Sequence, residues 1–158
     1  MKTLLVYTSK HGTTEKIAEM IQEQSQQNIE LCNLKDCKKP DINEYSKVII
    51  GTSFHAGRIN SRVKKFIKRN KDTLLIKKIA IYVCGMNKQD INKNIELNFN
   101  EEIRKHAFAC DWLGGEFLTT KMNGLERAMV KKVAGVDNTI SEIKKNNISE
   151  FITAINNN

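Results

Sequence analysis

The chain has one proline, Pro40, few aromatic residues, and four cysteines, no two of them spaced C-x-x-C. The cysteine spacing excludes a zinc ribbon and a thioredoxin motif. None of Cys32, Cys37, Cys84 and Cys110 is followed six residues later by arginine, which excludes the C-x5-R loop of cysteine phosphatases. All four are expected as free thiols, mostly small core residues. No apolar run is long enough to span a bilayer, and Met1 leads directly into an apolar strand, not a signal peptide. The expectation is a cytoplasmic protein. Lysine and arginine number 26 against 18 aspartate and glutamate, a net charge of +8. No long basic block accompanies that charge, so nucleic acid is not an expected partner. A solvated basic face accounts for most of it. It also fits an acidic partner protein or peripheral contact with an anionic membrane face. Both common nucleotide loops, G-x-x-x-x-G-K-[ST] and G-x-G-x-x-G, are missing. With no repeat, low-complexity segment or linker, residues 1–158 are expected to form a single domain with one core.

What is present begins at once. Leu4 to Tyr7 is a short apolar run of strand length. It stops at Thr8-Ser9-Lys10-His11-Gly12-Thr13-Thr14, and a helical pattern with Ile17, Met20 and Ile21 on one face follows. In a parallel sheet such a loop lies at the carboxyl end of a strand and over a helix N-terminus, where free N–H groups and the helix dipole favour an anion. Hydroxyls add donors, and Gly12 permits close backbone approach. One glycine among hydroxyls suits a terminal monophosphate. The same hydroxyls also suit an ordinary strand–helix turn in which they only cap the helix.

The rest alternates strand and helix. Helices are expected at Thr13–Gln27, Asn60–Asn70, Ile91–Phe108, Leu125–Val133 and Thr139–Ile155. After the first strand, further strands are expected at Ile29–Leu34, Lys47–Thr52, Ile79–Cys84 and Glu116–Thr119, the last preceded by a Gly114-Gly115 turn. This is an α/β pattern, a five-stranded parallel sheet with helices on both faces. Right-handed crossovers leave few topologies, and the doubly wound order 2-1-3-4-5 puts a ligand crevice between strands one and three.

Thr8 to Thr14 resembles the loop by which flavodoxins hold the phosphate of FMN. Gly51-Thr52-Ser53-Phe54-His55-Ala56-Gly57-Arg58, after the third strand, is similar to the flavodoxin loop that covers one face of the isoalloxazine ring. Cys84-Gly85-Met86-Asn87, after the fourth strand, stands where flavodoxins supply the opposite wall, here with no aromatic or carboxylate before Asp90. The resemblance extends over nearly the whole chain to the branch of the flavodoxin-domain family that includes the menaquinone-dependent protoporphyrinogen oxidases. It rests also on G-T-S-F-H-A-G-R-I-N, on the basic helix at Val63-Lys64-Lys65-Phe66, and on a basic helical insert at Met122–Gly135 carrying Arg127, Lys131 and Lys132. It implies a flavodoxin-like fold. It also implies FMN as cofactor, with Thr8, Ser9, Lys10, His11, Gly12, Thr13 and Thr14 at its phosphate. Thr52, Ser53, Phe54, His55, Ala56, Gly57, Cys84, Gly85, Met86 and Asn87 would surround its ring. A redox partner protein or a quinone would exchange electrons with it. Few negative charges are expected around the ring.

Two other functions use the same fold. A phosphorylation receiver needs acids after the first strand and an aspartate after the third, where this chain has Thr8-Ser9 and Gly51-Thr52. A cofactor-free interaction module differs from a flavin carrier in one cheap observation, a colourless folded protein that takes up no FMN.

Overall fold

The computed structural model describes residues 2–86, 88–117, 121–134 and 140–158. Five parallel strands form one sheet in the order β2-β1-β3-β4-β5: β1 Lys2–Tyr7, β2 Asn28–Asn33, β3 Lys47–Ser53, β4 Lys78–Cys84 and β5 Ala109–Trp112. Leu5 of β1 lies between Leu31 and Ile49, and Ile50 of β3 lies between Val6 and Ile81. The inner strands β1, β3 and β4 carry buried apolar runs because both faces are covered, whereas the edge strands β2 and β5 keep exposed polar residues such as Glu30 and Asp111.

Strand alternation divides the core in two. Leu4, Val6, Val48, Ile50, Ile79 and Ile81 pack on one side against α2 (Ser61–Arg69), α3 (Lys71–Leu75), α4 (Ile91–Asn98) and α5 (Glu101–His106) through Val63, Phe66, Leu74, Ile95 and Ile103. Leu5, Tyr7, Ile49, Ala80 and Tyr82 pack on the other against α1 (Thr13–Gln24) and α7 (Lys145–Asn157) through Ile17, Ile21, Ile148 and Phe151.

Four sequence expectations are corrected. The fifth strand of the sheet is Ala109–Trp112, not Glu116–Thr119. Glu116–Phe117 is β6, which pairs antiparallel with β7 (Ile140–Ser141) as a separate ribbon, while Leu118 and Thr119 lie outside the described residues. The helix expected over Ile91–Phe108 is two helices. Phe99 leaves the helical region at φ −111°, ψ 132° and is buried in the core, and Asn100 restarts the chain by accepting hydrogen bonds from the N–H groups of Glu102 (2.8 Å) and Ile103 (3.3 Å). The last helix begins at Lys145, since Ile140–Ser141 is strand; Thr139 lies outside the described residues. Finally, Cys32 and Cys37 are bonded to each other, tying β2 to the turn after it, and only Cys84 and Cys110 are free.

At the amino edge of the sheet Lys47 is buried, and its ammonium donates to Gln27 Oε1 (2.7 Å) and to the Ile155 carbonyl (2.6 Å) near the end of α7. Burial, with Lys78 nearby, lowers its pKa from 10.5 to about 8. Between those values the unfolded chain holds a proton that the native chain does not, so Lys47 makes stability rise with pH across that window. Urea unfolding of wild type and Lys47→Met from pH 7.5 to 10.5 is expected to show wild type gaining on the variant as pH rises. A constant difference would return the amine to its ordinary pKa.

Candidate functional site

Three loops leave the carboxyl ends of β1, β3 and β4 and meet at one crevice. In the first, Ser9 Oγ accepts from the Gly12 N–H (3.0 Å), folding the loop over α1. Gly12, at φ +98°, is the residue before the helix, and its carbonyl accepts from Lys16 N–H (2.9 Å). Thr13 and Thr14 open the helix and are buried. The Thr14 carbonyl accepts from the buried Tyr82 hydroxyl (2.8 Å), so β4 fixes the first turn of α1. A side chain on Gly51 would overlap the Tyr82 ring, so the glycine in β3 is what admits that ring.

In the second loop Phe54 N–H donates to the Cys84 carbonyl (2.9 Å). His55 and Arg58 exchange two backbone hydrogen bonds (2.9 and 3.0 Å) around Ala56 (φ 48°) and Gly57 (φ 72°), a tight left-handed turn. Asn98 Nδ2 donates to the Gly57 carbonyl (2.7 Å) and Asn98 Oδ1 accepts from Ile59 N–H (3.1 Å), so α4 holds this turn from outside. In the third loop both backbone groups of Gly85 are committed. Its N–H goes to the Gly114 carbonyl (2.9 Å), and its carbonyl accepts from the Trp112 indole (2.8 Å).

The loops line a half-open cavity of about 790 Å³, a size suited to a cofactor. Of the sequence-predicted residues, Ser9, Lys10, His11, Thr13, Thr14, Ser53, Phe54, His55, Ala56, Gly57, Cys84, Gly85 and Met86 line it. Thr8, Gly12 and Thr52 stand behind the wall. Thr52 is fully buried, and its hydroxyl has no partner among the described residues. Asn87 lies outside the described residues.

The fold adds residues that strand–loop–helix reading did not reach. Asp90, Ile91 and Asn94 enter from the start of α4, Glu116 from β6, and Met122, Glu126, Met129 and Val130 from α6 (Gly124–Ala134) and the residues before it. Asp90, Glu116 and Glu126 bring three carboxylates to the cavity from segments other than the three loops. Glu126, Met129 and Val130 of α6 line the cavity, Met129 at its open side, whereas Leu125 is 76 % exposed and does not pack on the domain. The side chain of Val133 lies outside the described residues.

The loop end of the cavity carries an ionic cluster. Lys10 pairs with Glu126, and His11 Nε2 is 3.9 Å from the same carboxylate. Lys10 holds the Glu126 carboxyl below its usual pKa. The His11 and His55 rings meet edge-to-face at 5.9 Å. Burial, then His11 and Lys10, lower the His55 pKa, which favours its neutral form. Burial pushes the Cys84 thiol up to about 12, so it is a wall and not a nucleophile. Lys121 brings its ammonium over Gly12, where a Cβ would lie 2.8 Å from Nζ, and among the described residues no acid pairs with it. Hydroxyls, a left-handed glycine and cations at one end, with apolar walls at the other, suit a flat ring that carries a phosphate.

Residues 4–142 match the flavodoxin domain family, and the chain belongs to it. It is 21% identical over 155 residues to the protoporphyrinogen IX dehydrogenase [quinone] of Escherichia coli K12, covering 92% of this chain and 85% of that protein. Among solved structures it is similar to a Streptococcus pneumoniae TIGR4 flavodoxin (TM-score 0.57, 12% identity, 98% of this chain and 97% of that one). It is also similar to a flavoprotein from Lactobacillus acidophilus NCFM in complex with FMN (TM-score 0.50, 20% identity, 72% and 91%).

Proposed function

We propose that this flavodoxin-domain chain binds FMN and passes electrons through it. The observation that carries the reading is the convergence of the loops after β1, β3 and β4 on one cavity with an anion-binding end and an apolar end. Ser9, Lys10, His11, Thr13 and Thr14 would hold the phosphate, with Lys121 above Gly12 as a further cation. Thr8 and Gly12 shape that loop from behind. Phe54 to Gly57 and Cys84 to Met86 would flank the ring, with Asn87 in the same loop and Thr52 beneath it. Bound FMN supplies the electron chemistry, and the chain's residues bind it, orient it and exclude water. The test is the absorption spectrum of the purified protein, with mass identification of any released cofactor. A colourless protein that takes up no added FMN would favour a cofactor-free interaction module.

The partner reading rests on α6. Leu125 and Met129 are 76 % and 61 % exposed, and Arg127, Lys131 and Lys132 share the helix with them. No helix among the described residues is long and apolar enough to cross a membrane. An apolar strip with cations on a wall of the cavity suits an acidic redox protein or a quinone at an anionic membrane face. A flavin-dependent oxidase is the second reading, favoured by the same helix; the Escherichia coli relative is named a protoporphyrinogen IX dehydrogenase [quinone]. Charge reversal at Lys131 and Lys132 is expected to slow electron transfer severalfold at low salt and to leave FMN affinity unchanged. A rate indifferent to the variant and to ionic strength would make α6 an ordinary surface helix.

A further inference from the structure

Glu116 is a cavity residue whose chemistry the reading above leaves unused. Its side chain is 3 % exposed. Oε1 is fully engaged, accepting from Lys16 Nζ (3.0 Å) on α1 and from Ser141 Oγ (2.7 Å) on β7. Oε2 is buried and has no partner among the described residues, yet the residue lines the cavity. A carboxylate oxygen only accepts hydrogen bonds, and leaving it unmet in the interior costs more than an ordinary hydrogen bond contributes. The local fold goes to some length to put it there. Gly114 turns at φ +89°, where a side chain would overlap the Glu142 carbonyl. Gly115 packs so closely on Gly85 that a Cβ would lie 2.7 Å from its carbonyl carbon. Two glycines are therefore what lets β6 press Glu116 against the third loop.

The position of Glu116 says which part of a ligand it meets. Through Lys16 it is tied to the first turns of α1, next to Thr13 and Thr14 at the anion end. Through Gly115 it adjoins Gly85, at the start of the ring wall. Its charge also reaches Cys84, between the two. Glu116 thus adjoins both the anion end and the start of the ring wall, where the segment joining ring to phosphate would run. In FMN that segment is the ribityl chain, whose hydroxyls are donors. We infer that Glu116 Oε2 accepts a hydrogen bond from a ribityl hydroxyl and so selects flavins bearing a polyol chain. This inference rests on the FMN reading.

The test compares three probes on the intact protein: FMN, riboflavin and lumiflavin, which has the ring without the chain. In Glu116→Ala, FMN and riboflavin affinity are expected to fall together, by about tenfold to a hundredfold, while lumiflavin stays within about twofold. Lys16→Met and Ser141→Ala loosen the anchor and keep the free oxygen, so they are expected to leave the riboflavin-to-lumiflavin ratio unchanged. Glu116→Gln guards against a misfolded alanine variant. Its Oε1 can stay with Lys16 and Ser141, and its amide then replaces Oε2 with a donor. A hydroxyl can turn and accept from it, so riboflavin loses only a few-fold, whereas a ring N–H cannot. Equal losses for riboflavin and lumiflavin would move the contact to the ring and overturn the inference, as would unchanged riboflavin affinity in both variants. If wild type binds FMN and either of those results appears, only the role of Glu116 fails. If wild type binds no FMN, the reading beneath it fails.

Discussion

Gly12→Val is expected to lower FMN affinity by about a hundredfold, and Thr13→Ala by about tenfold to a hundredfold, with the domain still folded. The glycine change acts twice. Gly12 sits at φ +98°, a conformation that costs a β-branched residue about 1–2 kcal/mol, so the loop will shift to escape it. Its first side-chain carbon would also lie 2.8 Å from Lys121 Nζ and push that cation off the anion end. Thr13 lines the cavity, and removing its hydroxyl takes one donor from a charged phosphate. The loss should be specific to the phosphate. In all three variants, Lys121→Met included, riboflavin affinity is expected to change far less than FMN affinity. Titration of apoprotein with both flavins separates these cases. Unchanged FMN affinity in Gly12→Val and Thr13→Ala would remove the loop from the site.

The parts of the site legible in the sequence are those built by contiguous residues. A strand that stops at Thr8, a run of hydroxyls and a helical period after Gly12 can be read locally, and so can the glycine-framed loop from Gly51 to Gly57. The doubly wound sheet follows because β1, β3 and β4 carry the apolar runs Leu4–Tyr7, Val48–Ile50 and Ile79–Cys84 and are separated by helical periods. What escaped reading depends on distant partners. Glu116 and Glu126 become cavity residues only because the ribbon and α6 fold back over the loops. Lys121 meets Gly12 for the same reason. The misplaced fifth strand has a different cause. Ala109-Cys110-Asp111-Trp112 has no β-branched residue and follows a helical period without a proline or glycine between them, so periodicity runs through it. One local signal was present and missed. Asn100 is followed by Glu101 and Glu102 in the first turn of α5 and by Arg104, Lys105 and His106 in the last, a helix start and stop matched to the dipole. The bond between Cys32 and Cys37 depends on the turn after β2, which brings their Cα atoms to 6.1 Å, whereas the expectation of free thiols rests on a reducing compartment.

Gly51→Ala is expected to destabilise the fold by about 2–4 kcal/mol, from overpacking and a lost hydrogen bond. Gly51 pairs with Tyr7 on one side and Tyr82 on the other, and a Cβ there would overlap the Tyr82 ring at Cζ, Oη and Cε1. The ring cannot yield. It is fully buried, meets Phe151 edge-to-face at 6.0 Å, and is held at its far end by the bond to the Thr14 carbonyl. Against a typical total of about 5–15 kcal/mol the loss is large, and it reads as a lower urea midpoint. Because Tyr82 is what pins the first turn of α1, FMN affinity should fall in the same variant even though Gly51 touches no part of the cavity. A double-mutant cycle isolates the cause. Tyr82→Leu will be costly alone, but it vacates the space the new methyl group needs, so Gly51→Ala on that background should cost less than about 1 kcal/mol. If Gly51→Ala costs the same with Tyr82 present or absent, the strain lies in the β3 backbone, and Tyr82 is not the reason this strand carries a glycine.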